Sequence, residues 1–296
     1  MCDQDQLIAM DGSADGVGPN VSRRQFTAMG AFAAFAAACA PTGDASAQGG
    51  LAESDVTFDA PGGTMDAFFV HPAEGAHPAV IVWPDIAGLR DAFKAMGRRL
   101  ADAGYSVLVV NPFYRDLPAP QFADFEDFRA NDGFNKVGPW RAKLGADGVM
   151  ETAAAVVAWL DAQDAVDTAR GIGNQGYCMG GPFTVWSAAA VPSRVKAGAS
   201  FHGGGLVGDD PKAPINLFDE VADDAHFLIA VAQNDDARAP DDKDKLRAAA
   251  EAAGIAAEVE VYAGDHGWTV PDSPVYAEAA AERAWERLLA TYSAAL

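Results

Sequence analysis

Basic side chains are scarce in this chain: 21 lysines and arginines stand against 42 aspartates and glutamates in 296 residues, a formal charge of −21 at neutral pH. That balance argues against a nucleic-acid partner, because contact with phosphates needs clustered lysine and arginine. Cysteine is scarcer still, with Cys2, Cys39 and Cys178 the complete set. Internal repeats are missing, and so is a glycine-rich dinucleotide fingerprint, so neither a solenoid nor a Rossmann-type dehydrogenase is expected. The longest apolar stretch, from Ala28 to Ala40, is too short for a typical spanning helix. No metal and no cofactor is expected. Apolar residues make up 50% of the chain, enough to build the core of one large α/β domain.

Residues 1–47 stand apart from that domain. Ser22-Arg23-Arg24-Gln25-Phe26 precedes the Ala-rich apolar stretch, and Ala45-Ser46-Ala47 follows it. The order is that of a twin-arginine export signal with a small-residue cleavage site after Ala47. A periplasmic location is expected, with residues 48–296 as a single mature domain and no stable membrane insertion. Lipid attachment at Cys39 is the alternative, although Ala36-Ala37-Ala38 lacks the branched residue that such sites prefer. Cleavage removes Cys2 and Cys39 and leaves Cys178 alone, so the mature chain cannot form an internal disulfide. A single thiol kept in an oxidising compartment is more easily explained by reactivity than by packing.

Strand and helix patterns alternate along the rest. Asp55–Phe58 and Met65–Val70 resemble a hairpin, and Ala79–Trp83 a buried strand. Leu89–Ala103 is expected to be a helix, and Val107–Val110 the next strand. Pro112 to Trp140 is aromatic and rich in proline and aspartate with no clear period, an excursion over a site. A helix over Gly145–Ala162, strands at 195–201, 227–232 and 257–262, a helix over 240–253 and a closing helix over Ala277–Tyr292 complete the pattern. Such alternation implies a mostly parallel sheet with helices on both faces.

The densest chemistry lies in Gly176-Tyr177-Cys178-Met179-Gly180-Gly181. This is the glycine-nucleophile-glycine spacing of a nucleophile elbow, with cysteine at the reactive position. A sharp strand-to-helix turn needs small neighbours, because its central backbone is strained and the helix packs close behind. It also turns backbone N–H groups and the positive end of a helix toward the sulfur, which lowers a thiol's pKa. An inert buried cysteine among packing glycines is the competing reading. The downstream order weighs against it. Phe227–Ala232 runs into Gln233-Asn234-Asp235-Asp236, a carboxylate at a strand tip, and Ala257–Tyr262 runs into Asp265-His266-Gly267-Trp268. Nucleophile, acid and histidine therefore follow one another in the order an elbow enzyme requires. Asp235 and Asp236 both stand at that strand tip as candidate acids.

These segments, with Val80 to Asp91 and Gly104 to Arg115, resemble the dienelactone hydrolase family of the α/β-hydrolase fold, from roughly Ser54 to the C-terminus. The resemblance implies a Cys178, His266 and Asp235 triad that cleaves a small-molecule ester or lactone. It places the oxyanion between the N–H groups of Met179 and Ile86. Asp85 falls where the family has a glutamate that contacts the resting thiol, although a loop aspartate could simply cap the helix that follows. Arg115 could meet a substrate carboxylate or form a structural ion pair. No arginine follows His266 in Gly267-Trp268-Thr269-Val270-Pro271, which weakens the case for dienelactone itself, and Tyr177 with Trp268 would instead form an aromatic wall. His202, in Ser200-Phe201-His202-Gly203, either lines the pocket or ends a buried strand. A non-catalytic ligand-binding protein on the same fold, and a thiol-transfer protein, are the alternatives.

Overall fold

The computed structural model describes residues 50–296. The twin-arginine segment, Cys39 and the cleavage site after Ala47 lie outside the described residues. In chain order the elements are β1 (Leu51–Ala60), β2 (Gly63–Pro72), β3 (Ala79–Trp83), α1 (Asp91–Asp102), β4 (Ser106–Val110), α2 (Phe125–Ala130), α3 (Gly133–Arg141) and α4 (Ala146–Asp161). There follow β5 (Ile172–Tyr177), a 3₁₀ turn at Cys178–Gly180, α5 (Phe183–Ala190), β6 (Val195–Phe201) and β7 (His226–Ala232). Then come α6 (Gln233–Arg238), α7 (Asp242–Ala253), β8 (Ala256–Tyr262) and α8 (Glu278–Ala295).

The strands form one eight-stranded sheet in the order β1-β2-β4-β3-β5-β6-β7-β8. β2 pairs antiparallel with β1 and with β4, and every later pairing is parallel. This is an α/β-hydrolase-type sheet. Its central strands are buried on both faces, and their side chains alternate between two cores. Ala79, Ile81 and Trp83 of β3 join the cluster that includes Val156 and Leu160 of α4 and Phe183 of α5. Val80 and Val82 join the cluster that includes Phe93 of α1 and Leu288 and Tyr292 of α8. The period of two along each strand thus divides the core into two layers. Among the described residues, no helix is long and apolar enough to cross a membrane.

Three boundaries differ from the sequence expectation for physical reasons. The helix expected from Leu89 starts at Asp91, because Arg90 is extended (φ −150) and its side chain is used elsewhere. The excursion after β4 contains two helices. α2 has six residues, capped by the Asp124 carboxylate accepting from the Asp127 N–H at 2.7 Å, and α3 begins from a left-handed Asp132 and encloses Pro139. Helices that short and proline-interrupted carry no measurable apolar period. α8 continues past Tyr292 to Ala295. The parallel strands β3, β5, β7 and β8 share one direction, so the loops leaving their carboxyl ends meet along one sheet edge, where ligands bind in open α/β sheets.

Candidate active site

Cys178 leaves β5 with φ +52, a left-handed conformation unusual for a residue with a Cβ. The elbow glycines make that turn sterically feasible. A Cβ on Gly176 would lie 1.9 Å from the Gly180 carbonyl oxygen, and one on Gly180 would lie 2.5 Å from the Trp83 carbonyl oxygen. The turn is closed by the Gly181 N–H donating to the Cys178 carbonyl at 3.1 Å. Thr184 Oγ1 donates to the Gly181 carbonyl at 2.7 Å. The thiol sits in the 3₁₀ turn, ahead of α5, rather than on the first residue of the α-helix. Cys178 is buried and forms no disulfide.

Opposite the elbow, the end of β7 and the loop after β8 are joined by four hydrogen bonds. The Gln233 N–H donates to the Gly264 carbonyl at 3.0 Å, and the Gln233 amide donates to Asp265 at 3.0 Å. The Asn234 side-chain oxygen accepts the His266 N–H at 2.9 Å. Asp235 Oδ2 accepts from His266 Nδ1 at 2.6 Å, with the imidazole almost fully buried. Asp236 turns away and pairs with Lys243 Nζ at 2.6 Å. The geometry brings Asp235, not Asp236, to the histidine. The tautomer that donates from Nδ1 leaves Nε2 to exchange a proton with a reacting group.

A second histidine stands beside the first. His202, also left-handed at φ +41, is buried with its ring 4.9 Å from that of His266. Its Nε2 lies 2.9 Å from Thr269 Oγ1. Burial, then the neighbouring His266, keep the His202 pKa well below its ordinary value, so the ring is neutral at physiological pH.

A fully buried arginine fastens the site's other walls. Arg90 donates to Asp85 through both terminal nitrogens, at 2.7 and 2.9 Å, and to Asp272 at 2.6 and 2.8 Å. Asp85 Oδ1 also accepts the Ala87 N–H, and Asp272 Oδ2 accepts the Phe125 N–H at the start of α2. Burial would push the guanidinium pKa down, but the two carboxylates outweigh it and raise the value above its ordinary level. The loop after β3, the loop after His266 and α2 are thereby tied together.

Cys178, His266, His202, Asp85, Ile86 and Phe125 line one narrow pocket of about 10 Å³. That is room for roughly one water molecule. A larger cleft of about 740 Å³ begins at the next residue, Met179, and is walled by Phe183, Trp186, Leu144 and Pro214. Among the described residues, no cluster of histidine, cysteine and carboxylate side chains could hold a metal.

Four residues expected to contact substrate are placed otherwise. Asp85 lines the cavity, but its carboxylate is committed to Arg90 rather than reserved for the thiol. Arg115 donates to the Gly148 carbonyl and to Thr152 Oγ1 of α4, and lies over the Tyr114 ring; it packs beneath the β1–β2 hairpin, away from the cavity. Tyr177, the last residue of β5, points to the opposite face of the sheet, where it stacks on Phe201 and receives a hydrogen bond from Gln175. Trp268 lies in the same layer, stacked on Tyr262 at 4.9 Å. Strand alternation sends Tyr177 away from the elbow, and the tight turn after His266 returns Trp268 to the core. Arg90, Asp272, Asn234 and Phe125 were not singled out in the sequence. Asn234, adjacent to the proposed acid, carried a usable signal; Arg90 and Asp272 are too far apart in the chain to be paired by inspection.

A family model for the dienelactone hydrolase family matches residues 65–296. Two proteins named "Putative carboxymethylenebutenolidase" are similar over most of their length. One, from Methylorubrum extorquens, is 30% identical over 276 residues, covering 90% of this chain and 91% of its own. The other, from Salmonella typhi, is 28% identical over 265 residues, covering 87% and 93%. Among solved structures, a "Putative Dienelactone Hydrolase" from Klebsiella pneumoniae superposes with a TM-score of 0.68 at 24% identity, covering 82% of this chain and 99% of that one.

Proposed function

Because the chain belongs to the dienelactone hydrolase family, we propose that it is a carboxylic ester hydrolase that cleaves a small-molecule ester or lactone through Cys178, His266 and Asp235. One observation carries this reading. A left-handed cysteine at a glycine-walled elbow and a histidine held at 2.6 Å by a carboxylate line the same narrow pocket.

In this reading the Cys178 thiolate attacks the carbonyl carbon, and His266 carries the thiol's proton. The resulting oxyanion is held by the backbone N–H groups of Met179 and Ile86. Ile86 sits between Asp85 and the Ala87 N–H that Asp85 accepts, so the Arg90 pairing keeps its loop in place. The tetrahedral intermediate collapses to a thioester, and His266 protonates the departing alkoxide. His266 then takes a proton from water, the hydroxide attacks the thioester, and the acid leaves as the thiol is restored. Asp235 stabilises the imidazolium in both halves. Bulk beyond the reacting carbonyl has space in the cleft that starts at Met179. Residues 1–47 would direct this enzyme to the periplasm.

Trapping the thioester tests the proposal. Acid-quenched protein incubated with an activated acetate ester should gain one acetyl mass, located on the peptide that contains Cys178. An acetyl group on another residue, with Cys178 unmodified during turnover, would overturn it.

A further inference from the structure

We infer that the site takes a substrate that is uncharged beside its scissile carbonyl, and that the Asp85–Arg90–Asp272 cluster enforces this. The inference rests on the ester-hydrolase reading and adds the substrate class to it.

The charges around the narrow pocket at Cys178 decide this. Its walls include the carboxylate of Asp85 and two histidines, and no lysine or arginine. The cation behind Asp85 is Arg90, whose side chain is 0% exposed. Its nitrogens are already committed to Asp85, Asp272 and the Gly88 carbonyl. One guanidinium between two carboxylates leaves a net charge of −1 against the cavity wall. Arg115, which the sequence offered as a carboxylate partner, is bound to α4 instead. Cations line the larger cleft, not this pocket. Arg141 and Lys212 share that cleft with Asp210, and Lys212 pairs with Asp147.

A carboxylate next to the reacting carbonyl would therefore lose hydration against these buried walls, find no lysine or arginine among them and meet a net negative cluster. Both effects oppose binding, and they grow as the bound carbonyl approaches Cys178. Neutral esters and lactones lose nothing comparable. Charge on a remote part of the substrate would lie in the open cleft, which holds cations of its own.

Two substrates of closely similar size decide the matter: phenyl 3-methylbutanoate and monophenyl malonate, the second carrying a carboxylate beside the ester. Each enzymatic kcat/KM is divided by the ester's own hydroxide-catalysed rate. We expect the neutral ester to be favoured by about tenfold or more. Asp272→Asn removes one negative charge and keeps Arg90 paired with Asp85, so it should shrink that ratio several-fold. Asp272→Glu keeps the charge and should preserve it. Equal turnover of the two esters by the wild-type enzyme would overturn the inference, as would an unchanged ratio in a folded Asp272→Asn enzyme. The wild-type ratio stands as a test even if a variant fails to fold. Failure of the underlying reading looks different, since neither ester would be hydrolysed in a Cys178-dependent way.

Discussion

At Cys178 the backbone is kept at φ +52, a conformation that costs a residue with a Cβ about 1–3 kcal/mol. The surrounding glycines and the Gly181-to-Cys178 hydrogen bond hold it there, at the edge of the core where Cys178 lines the pocket. The histidine is oriented with similar care: its ring by Asp235 and its backbone by Asn234. If Asp235 is the triad acid, Asp235→Asn should lower kcat by up to roughly 10⁴-fold, the scale of a triad aspartate in serine proteases. Asp236→Asn loses only a partly exposed ion pair with Lys243 and should cost about tenfold or less. Steady-state kinetics on one ester compares the two, and a reversed ranking would move the acid to Asp236. His202 permits a prediction in pH. Its folded pKa lies well below the ordinary 6.5. On acidification the unfolded chain therefore takes up this proton first. The stabilisation from a neutral His202 is complete above about pH 6.5 and is lost as pH falls toward the folded value, at up to about 1.4 kcal/mol per pH unit. His202→Gln should flatten the decline in urea-unfolding free energy between pH 6.5 and 5. An unchanged slope would show that His202 is not the titrating group.

Among the elements, the strand ends do the positioning, and Arg90 joins what they carry. It connects the loop after β3 to the loop after β8, and through Asp272 to the first turn of α2. Removing one partner from a buried ion cluster leaves uncompensated charge, at a cost of about 3–5 kcal/mol. Arg90→Met should therefore destabilise the protein by that order in urea denaturation. Combining it with Asp85→Asn and Asp272→Asn should recover much of the loss, and a single substitution costing under about 1 kcal/mol would refute the clamp. How legible these features were in the sequence depended on their range along the chain. The elbow could be read because glycine, nucleophile and glycine are a local steric requirement. β6, β7 and β8 could be read from short apolar runs with clear ends. Asp235 was preferred over Asp236 through the family resemblance, whose spacing from the end of β7 it matches. The clamp could not be read, because Arg90 and Asp272 meet only through the fold. Tyr177 and Trp268 were expected at the site because the facing of a side chain at a strand end or in a tight turn depends on backbone geometry that residue order does not specify. α2 and α3 were missed because one is six residues long and the other encloses Pro139.

For the molecule as a whole, a formal charge of −21 argues against contact with polyanions such as nucleic acid. The arginine pair at Arg23-Arg24 and the Ala45-Ser46-Ala47 site propose export followed by cleavage. N-terminal sequencing of protein recovered from the periplasm should then begin at Gln48, and a full-length cytoplasmic product would contradict it. After such cleavage the mature chain has a single thiol, so the whole of its catalytic capacity would depend on one atom.

Replacing that atom tests the account most directly. The kcat/KM of purified Cys178→Ala on neutral esters, with circular dichroism to verify the fold, should fall by about 10³-fold or more, as for other enzymes stripped of their nucleophile. A folded Cys178→Ala protein that hydrolyses the same esters at the wild-type rate would contradict the mechanism and leave the elbow as a packing motif.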